Sequence, residues 1–226
     1  VGIKAGVSEL PFVNPPPGIY QAGFGGRDSD AQEATTFLNF EVLPPPIPNW
    51  ATAPTIDGDT GDPAWLFGTK ILIPIDATRS IEARLVHADS SLYILIQGLR
   101  YAGGSSTAAF TGIRIDANAS GDPLAQTNDY GFFVDEWGNT SQQAGDGAGG
   151  MPVMSAPLAG FAAAVERHEG SWITELQIPD SLVGGWNYGA RIKLGEYWIT
   201  YTGDDRNWPP LATYASPQSW APVWFG

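Results

Sequence analysis

The sequence predicts an all-β protein: a two-sheet antiparallel β-sandwich of the jelly-roll or immunoglobulin-like type, preceded by an extended N-terminal arm and a hairpin. Three observations carry this. Gly (28) and Pro (19) are abundant, yet they lie scattered between short apolar runs rather than at a fixed period, the pattern of short strands joined by tight turns. No window of helical length places apolar residues at i, i+3, i+4 and i+7 between caps. At 43% hydrophobic and 12% aromatic, the 226 residues hold ample material for a packed core.

Residues 1–13 (VGIKAGVSELPFV) alternate loosely and run into Asn14-Pro15-Pro16-Pro17. Serial prolines cannot feed a sheet ladder, so an extended arm followed by a stiff spacer is expected. Residues 18–24 and 35–43 read as two strands of a hairpin with a polar, Gly-containing loop between them. In the second strand Phe37, Asn39 and Glu41 point one way, and Leu38, Phe40 and Val42 the other. Pro44-Pro45-Pro46-Ile47-Pro48 then marks a boundary between an arm-and-hairpin unit at 1–48 and a sandwich at 49–226. The first unit resembles the closing part of an immunoglobulin-type module. Two or three strands are marginal alone, so this unit must lean on the sandwich, on an upstream part or on another subunit.

Within the larger unit, strands are expected at 70–75, 81–86, 92–98, 112–115, 130–134, 160–165, 172–178 and 197–201, with one short helical turn at 179–183. The run AGDGAGG at 144–150 reads as a mobile loop.

Net charge is −13, from 24 acids against 11 bases. Such a chain is repelled by nucleic acid and by anionic membrane surfaces, which leaves calcium, neutral glycans or another protein as partners. There is no cysteine, hence no disulfide framework and no thiolate chemistry. No apolar run approaches the ~20 residues of a membrane-spanning helix. A chain opening on Val1 is expected of a matured secreted polypeptide, extracellular or cell-surface associated.

Asp116-Ala-Asn118-Ala-Ser120-Gly121-Asp122 places oxygens at alternate positions 1, 3 and 5 and Gly at 6, like the front half of an EF-hand loop. Thr127 stands where the closing Glu belongs, with Asn128 and Asp129 beside it, so a calcium site held by β-loops is the expectation. The competing reading is an Asx-rich turn bonded to its own backbone. Asp57, Asp59 and Asp62 form a second acidic cluster, with Asp57 and Asp59 as candidate ligands.

Of nine Trp, Trp65, Trp172 and Trp198 read as core. Trp137 (DEWGN) and Trp186 (GGWNYG) sit in polar, Gly-rich loops. An exposed indole can stack on the apolar face of a sugar ring while neighbouring amides bond its hydroxyls, which makes Trp137, Trp186, Asn139 and Asn187 the candidate glycan residues. The competing reading has these Trp capping the sandwich. Catalysis is not expected: the histidines are His87 and His168, and no nucleophile elbow, zinc-protease motif or phosphate-binding loop is present.

The motifs PTIDGDTGDPAW, LVHADSSLYILIQG, IRIDANASGD, DYGFFV, GSWITELQIP, GDDRNWPP and SPQSW, in that order from about Pro54 to Trp220, resemble family 9 carbohydrate-binding modules and the overlapping DOMON-like sandwiches. The resemblance implies a two-sheet sandwich with structural calcium and, in sugar-binding members, a sugar held between two tryptophans. Trp65 and Trp172 match structural positions, and Asp116 lies where the family carries an acidic loop. Trp137 and Trp186 are clamp candidates by loop location alone. Some DOMON relatives bind haem through Met and His, residue types present here as Met151, Met154, His87 and His168.

Two readings stand side by side. One is a secreted, non-catalytic module that binds a glycan or polysaccharide and carries structural calcium. The other is a structural subunit of an extracellular filament or surface layer, self-associating by strand addition through its N-terminal strands.

Overall fold

The computed structural model describes residues 18–27, 30, 32–42, 46–101, 108–186, 189–198 and 206–226. The first expected hairpin is present: β1 (Gly18–Arg27) pairs antiparallel with β2 (Glu33–Val42) in unbroken register from Gly18–Val42 to Arg27–Glu33. These two strands form a sheet of their own.

The sandwich follows. One sheet has five strands in the order β10-β11-β6-β5-β4: β4 (Thr69–Pro74), β5 (Ser80–Ala88), β6 (Ser91–Leu99), β10 (Ala162–Arg167) and β11 (Trp172–Pro179). The other runs β3-β14-β12-β7-β8-β9, from β3 (Pro46–Ile47), β14 (Ala221–Phe225), β12 (Gly189–Trp198), β7 (Ala109–Asp116), β8 (Asp129–Asp135) and β9 (Thr140–Ala144); β13 (Arg206–Trp208) pairs with β12 beside β14. Among the described strands all pairs are antiparallel except β3 on β14. The short helix α1 (Pro63–Phe67) starts with Pro at its first turn, where no N–H is needed.

Alternation along the strands explains the core. Ile81, Ala83 and Leu85 of β5 and Leu92, Ile94 and Ile96 of β6 face Ile113 and Ile115 of β7, Phe132 and Val134 of β8, and Ala190, Ile192 and Leu194 of β12. Ile47, assigned to the Pro-rich linker by sequence, belongs to this core and is fully buried. The outer sheet faces are covered too. Trp65 and Ala64 of α1 pack on Val86, Tyr93 and Leu95, while Ala125, Met151, Ala212 and Trp220 form a third cluster from long loops.

The stretch 144–150 is a closed turn rather than a free loop. Asp146 Oδ1 accepts the N–H groups of Ala148 (2.7 Å) and Gly150 (2.9 Å), and Asp146 N–H donates to the Gly150 carbonyl (3.0 Å).

Candidate functional site

Trp137 sits on the β8–β9 turn. Asp135 closes that turn: one carboxylate oxygen accepts Trp137 N–H (2.9 Å) and Asn139 N–H (2.8 Å), and the other accepts the Asn139 amide (2.8 Å). Asn139 is therefore committed to shaping the turn. Gly138, at φ +86°, supplies the left-handed step that other residues resist. On this fixed base the Trp137 side chain stands 61% exposed. The Arg167 guanidinium, at the end of β10, lies 3.9 Å from the Trp137 ring centroid and 5.0 Å from that of Tyr101. Tyr101 is anchored in turn by its hydroxyl, which donates to the His168 carbonyl at 2.8 Å. An exposed cation–π contact contributes ~0.5–1 kcal/mol, enough to orient a side chain.

The same end of the sandwich holds a cleft of about 340 Å³ lined by Thr78, Arg79, Ser80, Arg100, Gly170 and Ser171, with Ile75 and Gly98 beneath. Its wall is rigid at the β4–β5 turn. Asp76 accepts the Thr78 N–H and hydroxyl and the Arg79 N–H, all at 2.9 Å, and pairs with the Arg79 guanidinium at 2.6–2.7 Å. The Thr78 N–H, then the Arg79 side chain, hold this carboxyl well below the usual carboxylate range.

Trp186 lies at the opposite end. Register pairs Arg191 with Asp116 near the start of β12, whereas Phe110 pairs with Asp135 at the end of β8. The eight residues of β7 that separate these ends extend over roughly 25 Å at ~3.3 Å each. Trp137 and Trp186 thus cannot grip one sugar ring. Trp186 is built into the fold: its indole donates to Asp180 Oδ1 at 2.5 Å, and its ring stacks on Phe225 at 4.6 Å and 28°. Asn187 lies outside the described residues.

The Asp116 loop starts at the Trp186 end of the sheet. Asp116 is fully buried and accepts Ser120 N–H (3.2 Å) and Gly121 N–H (2.8 Å). Asn118 and Ser120 are exposed; Asn118 Oδ1 accepts Ser120 N–H (3.3 Å), and the Ser120 hydroxyl donates to Asp122 (2.7 Å). The alternate-oxygen ladder is thus engaged in its own turn. The residue that sequence reading left at the margin is Asp129, the cross-strand partner of Asp116. It is fully buried; one oxygen accepts Gln126 N–H (2.7 Å), and the other has no hydrogen-bond donor. Burial, reinforced by the charges of Asp116 and Asp122, pushes its carboxyl up to about 6. Its role follows only from the register that sets it opposite Asp116.

At the second acidic cluster the organising residue is Glu175, which sequence reading counted only as part of a strand. Its oxygens accept the Trp65 indole N–H (3.0 Å) and the N–H groups of Gly58 (2.8 Å) and Asp57 (3.1 Å). Asp57 and Asp59 serve as acceptors for the N–H groups of Asp59 and Gly61 in their own turns. Among the described residues, no group of three or more His, Cys, Asp or Glu side chains converges on one point as a ready metal shell.

His87 is fixed between Asn49 (2.8 Å) and Asp180 (3.0 Å), Met151 is buried against Arg114 at 3.3 Å, and His168 is exposed beside Glu166. These residues serve separate local contacts rather than one haem-ligating pair.

No protein-family model and no curated protein matches the sequence. Solved structures match in shape. A family 9 carbohydrate-binding module from Caldicellulosiruptor kristjanssonii superposes with a TM-score of 0.59 in its complex with cellotriose and 0.60 in its complex with glucose. Identity is 14% in both cases, over 80% of this chain and 93% and 95% of those chains. A Bacteroides uniformis protein described as carbohydrate-binding gives 0.58 at 13% identity, over 80% of this chain and 98% of that one. At such identities the likeness is one of fold, and it does not carry site residues across. The chain folds as the family 9 carbohydrate-binding modules do, as a two-sheet β-sandwich.

Proposed function

We propose that the protein is a secreted, non-catalytic module that binds carbohydrate at the end of the sandwich bearing Trp137. The observation that carries this reading is the exposed indole on its rigid turn, steadied by Arg167 and sharing its end of the sandwich with a polar cleft. An aromatic platform beside a few fixed donors is the chemistry that a neutral sugar requires, with C–H groups on the ring and hydroxyls on the donors. The cellotriose and glucose complexes of the similarly folded module support the ligand class. Among the described residues the site has one platform, Trp137 with Tyr101 and Arg167 behind it, in place of a two-tryptophan clamp. Titrating cello-oligosaccharides while following Trp fluorescence tests it. The expected response is saturable, lost in Trp137→Ala and weakened several-fold in Arg167→Ala. A response that survives Trp137→Ala overturns the assignment.

Calcium belongs to the same proposal. The residues that fit a dication are Asp129, with its donor-less buried oxygen, and its neighbours Asp116 and Asp122, with Asn118 and Ser120 at the rim. A bound cation would neutralise the buried charge and fix the loop between β7 and β8. Asp57 and Asp59 have less support as ligands, because each accepts an N–H of its own turn and the neighbouring Glu175 already holds three donors.

A further inference from the structure

Among the described residues, the β1–β2 hairpin is a sheet of its own with no other strand laid against it. Residues 33–39 are exposed on both sides: Phe37 on one face is 61% exposed and Leu38 on the other 55%. Register sets Tyr20 opposite Phe40, Ala22 opposite Leu38 and Phe24 opposite Thr36, so the positions in step with Leu38 are mostly apolar in sequence. The other face is poorer, with Gln21 bonded across to Asn39 (3.1 Å) and the Phe37 ring close over Gly23. Among the described residues neither strand has a further ladder partner. Among the described residues, each ten-residue strand thus turns one edge of backbone N–H and C=O groups away from its partner. Charged residues stand only near the strand ends, at Arg27, Glu33 and Glu41. The strands contain no Pro and no Lys, and the pairing has no bulge. Two strands fall short of a self-supporting sheet, and three with an apolar face meet the requirement.

The chain itself supplies a fitting third strand. Val1, Ile3, Ala5 and Val7 alternate with Gly2, Lys4, Gly6 and Ser8, so one face of this arm is apolar and the other polar. We propose that residues 1–13 of one copy add as a strand to the β1–β2 hairpin of a second copy, extending its Leu38 face. The arm is disfavoured as a partner for its own hairpin, because Asn14-Pro15-Pro16-Pro17 intervenes. Consecutive prolines hold an extended helix of ~3.1 Å per residue and cannot make the tight turn that would fold the arm back onto β1. Arm and receiving edge are different surfaces, so each copy donates once and receives once. Such a heterologous contact propagates head to tail as an open chain. This association is independent of sugar binding, since Trp137 and its cleft belong to the sandwich.

Light scattering and electron microscopy of the intact chain over a concentration series provide the test. Mass is expected to grow with concentration and short filaments to appear. Two changes should each return a monomer with an unaltered sandwich melting point: Ile3→Lys with Val7→Lys in the arm, and Leu38→Lys on the receiving face. Because Leu38 is exposed, its replacement leaves the isolated copy intact, so loss of assembly cannot be blamed on misfolding. A synthetic peptide of residues 1–13 should bind the arm variant and halt growth of the intact chain. A monomer at every concentration, or assembly that survives both changes, overturns the proposal.

Discussion

Replacing Glu175 by glutamine asks whether a single carboxylate ties the 57–62 loop and helix α1 to the outer face of the five-stranded sheet. The wild-type side chain is fully buried and receives three N–H donors on its two oxygens. An amide offers one oxygen and turns an NH₂ towards at least one of those donors. A buried donor left unpaired costs ~1–3 kcal/mol. For a chain of this size 1 kcal/mol moves the melting point by ~2–4 °C, so Glu175→Gln should melt roughly 3–10 °C lower. The pH dependence adds a second check. Burial raises the Glu175 carboxyl above its ordinary value despite the three donors, and the charge of Asp57 acts in the same direction. A carboxyl raised in the folded state contributes most below its unfolded value of about 4.3, and that contribution is lost as pH rises through the folded value. Glutamine does not titrate. The gap between wild type and variant should therefore be widest in mild acid and narrow towards neutrality. Thermal melts followed by circular dichroism at a series of pH values measure both effects. Equal melting points throughout, or a gap that widens towards neutrality, would refute the reasoning.

Three further outcomes are expected. Chelation should lower the melting point of the wild-type protein and leave Asp129→Asn unmoved; equal shifts in both would remove Asp129 from the calcium site. Trp186→Phe should cost ~1–2 kcal/mol through the lost bond to Asp180 while leaving oligosaccharide affinity unchanged, and a loss of affinity in calorimetric titration would return Trp186 to the ligand site. Gly112→Ala should cost ~3 kcal/mol or more, because a β-carbon there would meet the Phe132 carbonyl oxygen at 2.1 Å and the Phe133 ring at 2.6 Å, whereas Gly26→Ala, with nothing within 4 Å, should be neutral in the same melt.

Where alternation and apolar content coincide, the strands were legible in the sequence. Runs such as LYILIQG and WITELQI became β6 and β11 with boundaries shifted by a residue. The strands missed had another chemistry. β9 (TSQQA) has no large apolar residue, because its inward Gln142 is held by the Leu158 backbone instead of by packing. The first half of β12 alternates Ala190, Ile192 and Leu194 with Arg191 and Lys193, and those charges disguised a central strand whose outer face is roofed by loops. β14, which was not expected, carries Pro222 at its second position, and Pro is tolerated at the first positions of a strand. The site was half legible. Loop location picked out Trp137, but its companions Arg167 and Tyr101 come from segments 30 and 36 residues away in sequence, which only the sheet order brings together. Asp129 is defined by its cross-strand neighbour Asp116, and Glu175 by donors from the 57–58 loop and Trp65, more than 100 residues away in sequence.

The two-residue strand β3 also sets how the protein would bear load. It runs parallel to β14, and Asn49 just beyond it bridges to His87 of the other sheet, also in parallel. Four backbone bonds fasten this short segment: Gly226 N–H to Ile47 O, Asn49 N–H to Gly226 O, His87 N–H to Pro48 O and Trp50 N–H to His87 O. A pull arriving from the hairpin at Pro46 and directed along the strand strains all four together, in shear, instead of unzipping them singly. With Ile47 plugged between the sheets, the segment acts as a rivet at the point where tension on the N-terminal strands would enter the sandwich. Weakening that rivet, by Ile47→Ala for instance, should lower the force needed to unravel the sandwich far more than an equal truncation at a strand loaded across its bonds.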